Sequence, residues 1–402
     1  MDDLFQTCSA YLNKLCVEIP ERCVGSQGNQ QATRFFKEVV SDRGWVTESL
    51  EFEAMDWEDG GAVLLVGGKG FAVQVSPYSL GYAGEARLAS ASSLEELERS
   101  DLRGKILLLH GQIAREQLMP KNFVFYNPEG HQKIIAQLEK QLPLALVCAT
   151  GRNSAIAGGV YPFPLIEDGD FDIPSVYMTE EEGEKLIPHV GELVCLESKS
   201  RRIPGNGYNV LGRKGKKGGA RIVVSAHIDA KKGTPGAIDN ATGVAVLLLL
   251  AQILESYDGD RSIELVAFNG EDYYAVPGQM AYVRANQDRF DQILLNINID
   301  GAGYRQGSSA FSFFGLPDEI QVMAESILAN NPGIVEGVQW VQSDHSIFVQ
   351  FGRPAIAVTS TWFLENNESQ TITHTPQDNL EIVDPSKVVE IARALGALIR
   401  VI

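Results

Sequence analysis

The sequence predicts an α/β protein, with a mostly parallel or mixed sheet that has helices on both faces and with a smaller strand-rich domain inserted into it. Three observations predict this class. The chain has 402 residues, 44% of them hydrophobic, which is enough for a large core and two domains. From residue 208 onward, strand-like and helix-like segments alternate. Between residues 61 and 204, short apolar runs are separated by glycine, proline and charged clusters.

These patterns divide the chain into a discontinuous main domain, residues 1–60 and 205–402, and an insert, residues 61–204. In the opening segment we expect a helix, a break at RCVGSQGNQ, a second helix in QATRFFKEVVSDRG and a strand in WVTESLEFEAM. The insert contains the apolar runs AVLLVG, KILLLHG and ALVCAT. We expect it to end in SKSRRIPGNGYN, a basic, glycine-containing stretch that is typical of a linker.

The segments after residue 208 carry the parallel-sheet prediction. Strands are predicted in RIVVSAHID, SIELVAFNGED, ILLNINIDG and PAIAVTST, which are apolar and rich in β-branched residues. Helices are predicted in TGVAVLLLLAQILESY, which is too long and too rich in alanine and leucine for a strand, and in PDEIQVMAESILANN. The last helix is PSKVVEIARALGALIRV, with Asp384 as its cap and Pro385 as its first residue.

Charge and apolar content restrict the partners and the compartment. The formal charge is −18, from scattered acids rather than one acidic block, so we expect no binding to nucleic acid or to an anionic membrane. No apolar run reaches the roughly 18 residues of a membrane span. Two acids near the N-terminus, where a signal peptide would be basic, predict a cytoplasmic protein. A homo-oligomer is compatible with the sequence, which does not determine the oligomeric state.

The five cysteines predict reduced, mostly buried thiols. Their number is odd and no CxxC spacing occurs, which argues against a disulfide framework and against a thiolate zinc site. An N-terminal disulfide is the alternative, because three of the cysteines lie within the first 23 residues.

Seven polar side chains follow the predicted strands or lie in the loops between elements: His227, Asp229, Asp239, Glu271, Asp272, Asp300 and His374. Five of them lie at the ends of three consecutive strands, where open α/β sheets bind their ligands. The other two lie in the loops GAIDNATG and THTPQDN. Each alone has a structural explanation, such as a solvated acidic turn or a loop cap. Together, two histidines and several carboxylates match the donor set of a catalytic zinc site.

The motifs HID, GAIDNATG, NGED, NINID, SDHSIF and HTPQD, in this order, resemble those of the M28 family of zinc aminopeptidases. The resemblance covers residues 205–402 and the opening segment RCVGSQGNQQATRFF. It implies a metal-dependent exopeptidase that hydrolyses peptide bonds. Within the insert, GYAGEARLASASSLEELERSDLRGKILLLHG and DIPSVYMTEEEGEKL resemble the protease-associated domain found inserted in such enzymes.

The resemblance also implies a role for each of the seven residues. His227 and Asp300 would hold one zinc ion, and Asp272 and His374 a second. Asp239 would bridge the two ions, which lie about 3.5 to 4 Å apart in two-metal sites. Glu271 would be the general base, and Asp229 would orient His227.

The ligand types leave Co²⁺ and Mn²⁺ open as alternatives to Zn²⁺. Many members of the family have a glutamate where this chain has Asp272, so the sequence leaves the occupancy of the second metal open. The same family features imply that SDHSIF lies near the substrate, although Asp344 in this motif could equally cap a helix.

Two other functions remain open from the sequence. One is a cyclase-like acyl transfer with a single zinc ion, as in glutaminyl cyclase. The other is a metal-free binding protein with the same fold. The choice between trimming from the amino end and from the carboxyl end, and the preferred side chain, are not determined by the sequence.

Overall fold

The structure is a computed structural model that describes residues 3–152, 156–216 and 218–402. The chain folds into two compact units. The first consists of Met1–Ala54 and Asn206–Ile402, and the second of Met55–Gly205. Each unit is described separately below.

The elements are numbered in chain order. The strands are β1 (Val46–Val66), β2 (Lys69–Phe71), β3 (Gln74–Val75), β4 (Tyr82–Ala91), β5 (Lys105–Leu109), β6 (Ala145–Thr150), β7 (Ser175–Thr179), β8 (Leu193–Gly215), β9 (Arg221–His227), β10 (Ser262–Phe268), β11 (Ile293–Ile299), β12 (Ser309–Phe314), β13 (Ile334–Glu336) and β14 (Ala355–Ser360). The helices are α1 (Asp3–Asn13), α2 (Gln27–Asp42), α3 (Leu94–Arg99), α4 (Glu129–Gln141), α5 (Glu180–Leu186), α6 (Thr242–Ile253), α7 (Pro277–Asn286), α8 (Asp318–Asn330), α9 (His345–Gln350), α10 (Thr361–Asn366) and α11 (Pro385–Val401).

The sheet of the first unit has the strand order β13, β12, β14, β11, β9, β10, β8. The four strands β14, β11, β9 and β10 are parallel to one another, whereas β12 pairs with β14, and β8 with β10, in the antiparallel direction. The carboxyl ends of the four parallel strands therefore lie at the same edge of the sheet, where ligands of open α/β sheets bind.

Helices cover both faces of this sheet, as the alternating pattern predicts. On one face, α6 is buried along nearly its whole length, from Thr242 to Ala251, which explains why its sequence is apolar on all sides. The helices α1, α2 and α11 pack around it. On the opposite face, the rings of Phe268 and Tyr282, 5.1 Å apart, pack α7 against β10, and Phe348 of α9 joins them.

The second unit has its own sheet, in which β4, β5, β6 and β7 are parallel and β3 pairs with β7 in the antiparallel direction. The four apolar residues of β5 alternate between two apolar clusters. Leu107 and Leu109 belong to one cluster, and Ile106 and Leu108 to the other. Both faces of this sheet are therefore covered by apolar side chains.

The expected linker at SKSRRIPGNGYN is wrong, because these residues lie inside the long strand β8. Its basic residues form ion pairs: Arg201 with Glu58 at 2.8 Å and Arg202 with Asp172 at 2.7 Å. Gly207 does not make a turn. It faces the ring of Phe52, which would lie 2.4 Å from an added Cβ atom, so that only glycine fits there.

The second helix begins at Gln27, four residues before the predicted start at Gln31. The reason is the side chain of Ser26, whose Oγ accepts a hydrogen bond from the backbone amide of Asn29 at 3.1 Å. A serine cap satisfies one of the free amides of the first turn, so the helix extends into the predicted break.

None of the five cysteines forms a disulfide bond, and all except Cys195 are buried, which confirms the prediction of mostly buried thiols. No helix among the described residues combines the length and the apolar character of a bilayer-spanning segment.

The predicted cap of the last helix is present. Asp384 precedes Pro385, the first residue of α11, and its Oδ1 accepts a hydrogen bond from the amide of Ser386 at 2.9 Å. We expect Asp384→Ala to lower the free energy of unfolding by about 1 kcal/mol, because the amide loses its partner. Urea titration at neutral pH would measure the change. An unchanged midpoint would show that the cap contributes nothing to α11.

Candidate metal centre

The seven predicted site residues lie at the carboxyl edge of the parallel strands or in loops that reach it. His227 is the last residue of β9 and lies opposite Phe268, the last residue of the neighbouring β10. Asp300 directly follows β11, and its amide donates to the carbonyl of Val358 in β14. The strand register thus places the ends of β9, β10 and β11 side by side.

The side chains form two groups that share Asp239. In the first group, His227 Nε2 lies 3.1 Å from Asp239 Oδ1 and 3.6 Å from Asp300 Oδ1. In the second, His374 Nε2 lies 3.1 Å from Asp239 Oδ2 and 3.1 Å from Asp272 Oδ1. Each group could hold one metal ion. The two oxygens of Asp239 therefore face different histidines, as a bridging carboxylate requires.

These residues fit zinc in donor type and in spacing. Two donors that each lie about 2.1 Å from one tetrahedral zinc ion are about 3.4 Å apart, close to the observed separations. Both ring nitrogens of His227 and Oδ2 of Asp272 are buried and make no hydrogen bond within the described part of the chain. Buried polar atoms without a hydrogen bond are costly, and coordination to a cation would compensate them.

The charges of the site also favour a cation. Burial lowers the pKa of His227, but the carboxylates of Asp300, Asp229 and Asp239 outweigh burial and raise the pKa well above its usual value. The pKa of His374 is raised in the same way, against burial, by Asp272 and Asp239. The carboxylates therefore create a negative potential at both rings. A divalent ion would replace the protons that this potential attracts.

Asp229 organises the turn that carries Glu271 and Asp272. Its Oδ1 accepts from the amide of Gly270 at 2.8 Å and from that of Glu271 at 3.3 Å, and its Oδ2 accepts from the amide of Asp272 at 3.0 Å. The distance from Asp229 Oδ1 to His227 Nδ1 is 3.6 Å, which exceeds hydrogen-bond length. The contacts that the structure shows for Asp229 are with the turn, and its action on His227 stays a prediction.

Glu271 directly precedes Asp272 in the turn that follows β10. Burial raises the pKa of Glu271 well above its usual value, and the negative charges of Asp272, Asp300 and Asp344 raise it further, although His227 opposes them. A carboxyl group with a raised pKa can both accept and return a proton near neutral pH, which is what a general base and acid must do.

The loop residues reach the site through unusual backbone positions. Asp239 lies in an irregular helical turn, Ala237–Ala241, that precedes α6. The side chain of Asn240 ties this turn to the end of β11 by donating to the carbonyl of Ile299 at 2.8 Å. His374 has a φ of 62°, a left-handed conformation that is rare for a residue other than glycine and is typical of functional sites.

Asp344 precedes α9 but makes no capping hydrogen bond, so its interpretation as a helix cap is wrong. Its side chain is buried and accepts a hydrogen bond from Gln279 Nε2 at 2.9 Å instead. Burial raises the pKa of Asp344 to about 7. The backbone of Asp344 is itself helical, whereas a capping residue normally has an extended backbone, which explains why the cap hydrogen bond does not form.

Two residues that contact the Asp239 loop were not among the predicted site residues. Asp378 lies in the motif HTPQD and Arg22 in RCVGSQGNQ, and both are fully buried. The sequence signal that could have identified them is that each is a charged residue inside one of the quoted motifs. The sequence alone did not show that the two segments meet at the same loop.

Comparison of the sequence with known proteins identifies a family that it resembles. Residues 209–399 match the sequence model of peptidase family M28. Aminopeptidase YwaD of Bacillus subtilis is 25% identical over 238 residues, which are 56% of this chain and 50% of that protein. LpqL of Mycobacterium tuberculosis, a probable lipoprotein aminopeptidase, is 23% identical over 69% of this chain and 54% of its own length. The chain thus spans about half the length of these two relatives.

Solved structures share the fold. An aminopeptidase from Aneurinibacillus sp. strain AM-1 superimposes with a TM-score of 0.75 at 18% identity, over 98% of this chain and 93% of that one. BSAP, a zinc aminopeptidase from Bacillus subtilis, gives a TM-score of 0.75 at 19% identity, over 98% and 94% of the two chains. At this identity the likeness shows the α/β architecture.

Proposed function

We propose, since residues 209–399 match the sequence model of peptidase family M28, that the protein is a metal-dependent aminopeptidase with two zinc ions at this centre. The observation that carries the proposal is the position of Asp239. Its two carboxylate oxygens each lie 3.1 Å from the Nε2 atom of a different histidine, His227 and His374. Asp300 and Asp272 complete the two groups.

Two zinc ions held by these residues would acidify a water molecule and polarise the carbonyl of the peptide bond. Glu271 accepts the proton of the attacking water as the new C–O bond forms. It then returns this proton to the nitrogen of the leaving amine, so that the C–N bond breaks without releasing an anion. Asp229 keeps Glu271 in place through its hydrogen bonds to the backbone of the turn.

The number of bound ions is the first quantity to measure. We expect about two zinc ions per chain by elemental analysis of protein purified in zinc-containing buffer. Asp272 Oδ1 lies as close to His374 Nε2 as Asp239 Oδ2 does, so the shorter aspartate side chain reaches the second group. Exhaustive dialysis against a chelator should remove the ions and the activity together. A single ion would favour the cyclase-like chemistry, and none would favour a binding protein.

The reaction is tested with a panel of aminoacyl p-nitroanilides and short peptides. Release from substrates with a free α-amine, and not from their N-acetylated counterparts, would support an aminopeptidase. Release of the last residue of N-acetylated peptides would show trimming from the carboxyl end. Ring closure of an N-terminal glutamine without hydrolysis would contradict the proposal in favour of acyl transfer.

Cobalt or manganese could support activity in place of zinc, and reconstitution of the metal-free protein with each ion would rank the three metals by the activity they support.

We also propose that the second unit corresponds to a protease-associated insert and that the protein works in the cytoplasm. Five cysteines without a disulfide bond suit a reducing compartment. Cell fractionation tests the location, and light scattering tests whether the chain forms a homo-oligomer.

A further inference from the structure

The loop that carries Asp239 is held from one side by a buried arginine. Arg22 is fully buried, and its guanidinium donates four hydrogen bonds to backbone carbonyls. Two of them go to the loop: Nη1 to Pro235 at 2.7 Å and Nη2 to Gly236 at 2.8 Å. The other two go to Leu15 at 2.7 Å and to Ile228 at 3.0 Å. Arg22 therefore connects the N-terminal segment, at Leu15, both to Ile228, which directly follows β9, and to the loop, at Pro235 and Gly236.

The same loop is held from the other side by a buried carboxylate. Asp378 is fully buried, and its Oδ1 and Oδ2 accept from the amides of Ile238 at 2.7 Å and of Asp239 at 3.0 Å. Its backbone carbonyl accepts from the amide of Ala237 at 3.2 Å. Arg22 thus binds the backbone carbonyls of residues 235 and 236, and Asp378 binds the backbone amides of residues 237 to 239.

The contacts leave the loop little freedom to move. Gly236 has a φ of 57°, and a Cβ atom added to it would lie 2.8 Å from Arg22 Nη2 and 2.6 Å from Ala230. Burying a guanidinium and a carboxylate is costly unless each is fully hydrogen-bonded. A simple surface loop would not need either charge, so their presence calls for a role that depends on the position of Asp239.

We propose that Arg22 and Asp378 are positioning residues that fix the bridging carboxylate of Asp239 and thereby set the zinc affinity of the centre. A bridging ligand must satisfy two groups at once. A small tilt of the Asp239 backbone would move one of its oxygens away from His227 or His374. The two oxygens of Asp378 accept hydrogen bonds from two successive backbone amides, those of Ile238 and Asp239, so Asp378 resists this tilt. The inference rests on the proposed function only in requiring that the centre binds zinc.

The test is zinc affinity of the full chain in the variant Asp378→Asn, titrated against a competing chelator. Asparagine keeps the size of the side chain but turns an NH₂ group towards one of the two amides. We expect zinc binding to weaken about 10- to 100-fold, as for other residues that orient metal ligands. In protein loaded with Co²⁺, the absorption bands of the metal should shift, because its ligand geometry changes.

A matched control separates positioning from stability. Asp168 in the second unit is also buried and also accepts two backbone amides, those of Lys121 and Asp170, both at 2.8 Å. Asp168→Asn should lower the melting temperature but leave the zinc affinity and the cobalt spectrum unchanged. If both variants changed zinc binding equally, the effect would be one of general stability and the inference would be overturned.

A second variant carries the test if Asp378→Asn does not fold. Arg22→Lys keeps the positive charge but cannot reach four carbonyls from one nitrogen, and we expect it also to weaken zinc binding about 10-fold or more. Wild-type zinc affinity and an unchanged cobalt spectrum in either folded variant would overturn the inference. Wild-type protein that bound no zinc would instead contradict the proposed function.

Discussion

Glu271→Gln is expected to lower kcat/KM for aminoacyl substrates by about 10²- to 10⁴-fold while both zinc ions remain bound. The amide of glutamine occupies the same space as the carboxyl group but cannot accept and return a proton. Glu271 belongs to neither of the two groups that could hold a metal, so its replacement removes no predicted ligand. Asp229 binds the backbone of the turn, not the side chain of Glu271, so the turn should also keep its shape.

The measurement combines steady-state kinetics with elemental analysis on the same preparation. Glu319→Gln, which changes an exposed glutamate of α8, is the matched control and should keep full activity. Loss of zinc together with activity in Glu271→Gln would mean that Glu271 is a ligand and that Asp272 has the other role. Retained activity with retained zinc would require a different base.

The positions of the proposed ligands were predictable because they depend on local sequence and on one rule of topology. Apolar runs that alternate with helices predict parallel strands, and the carboxyl ends of such strands meet at one edge. His227 ends its strand, Asp300 directly follows its own, and Glu271 and Asp272 come three and four residues after theirs, so no long-range contact had to be known to bring them together. The same reasoning predicted α6, whose buried length matches its unbroken apolar run.

The features that sequence reasoning missed depend on contacts between distant segments. Arg22 and Asp378 are separated by most of the chain, and only the folded structure shows that both bind the loop from Pro235 to Asp239. The linker prediction failed for a similar reason. Glycine and basic residues are typical of linkers, but in β8 the glycine at 207 accommodates the ring of Phe52. Asp344 likewise prefers a partner on α7, Gln279, to the cap that its position suggested.

The costs of the buried charges show why the centre should depend on one ligand above the others. His227 is almost completely buried, with only 1% of its side chain exposed, and carboxylates surround both histidines. Without a cation, the three carboxylates and two imidazoles of the two groups, each at most 17% exposed, must share protons. If each group held one cation, the positive charge of the ion would offset the negative charge of its carboxylates. Asp239 would have to contribute one oxygen to each group.

Asp239→Ala is therefore expected to lose both zinc ions and all measurable activity. Its removal leaves each group with one histidine and one aspartate, His227 with Asp300 and His374 with Asp272, which is fewer than the three protein ligands typical of catalytic zinc. Removal of the bridge also takes away the carboxylate that shields the two cations from each other. Elemental analysis should give well under one ion per chain.

Thermal unfolding of the same variant distinguishes lost binding from a lost fold. A ligand that binds only the folded state raises its stability, so added zinc should raise the melting temperature of the wild-type protein and a chelator should lower it. In Asp239→Ala, neither addition should have an effect, and the melting temperature should match that of metal-free wild-type protein. The backbone amides of residues 238 and 239 can still donate to Asp378 in this variant, so we expect the loop to keep its conformation. A variant that kept two ions would show that each group holds its metal alone and that Asp239 is not the bridge.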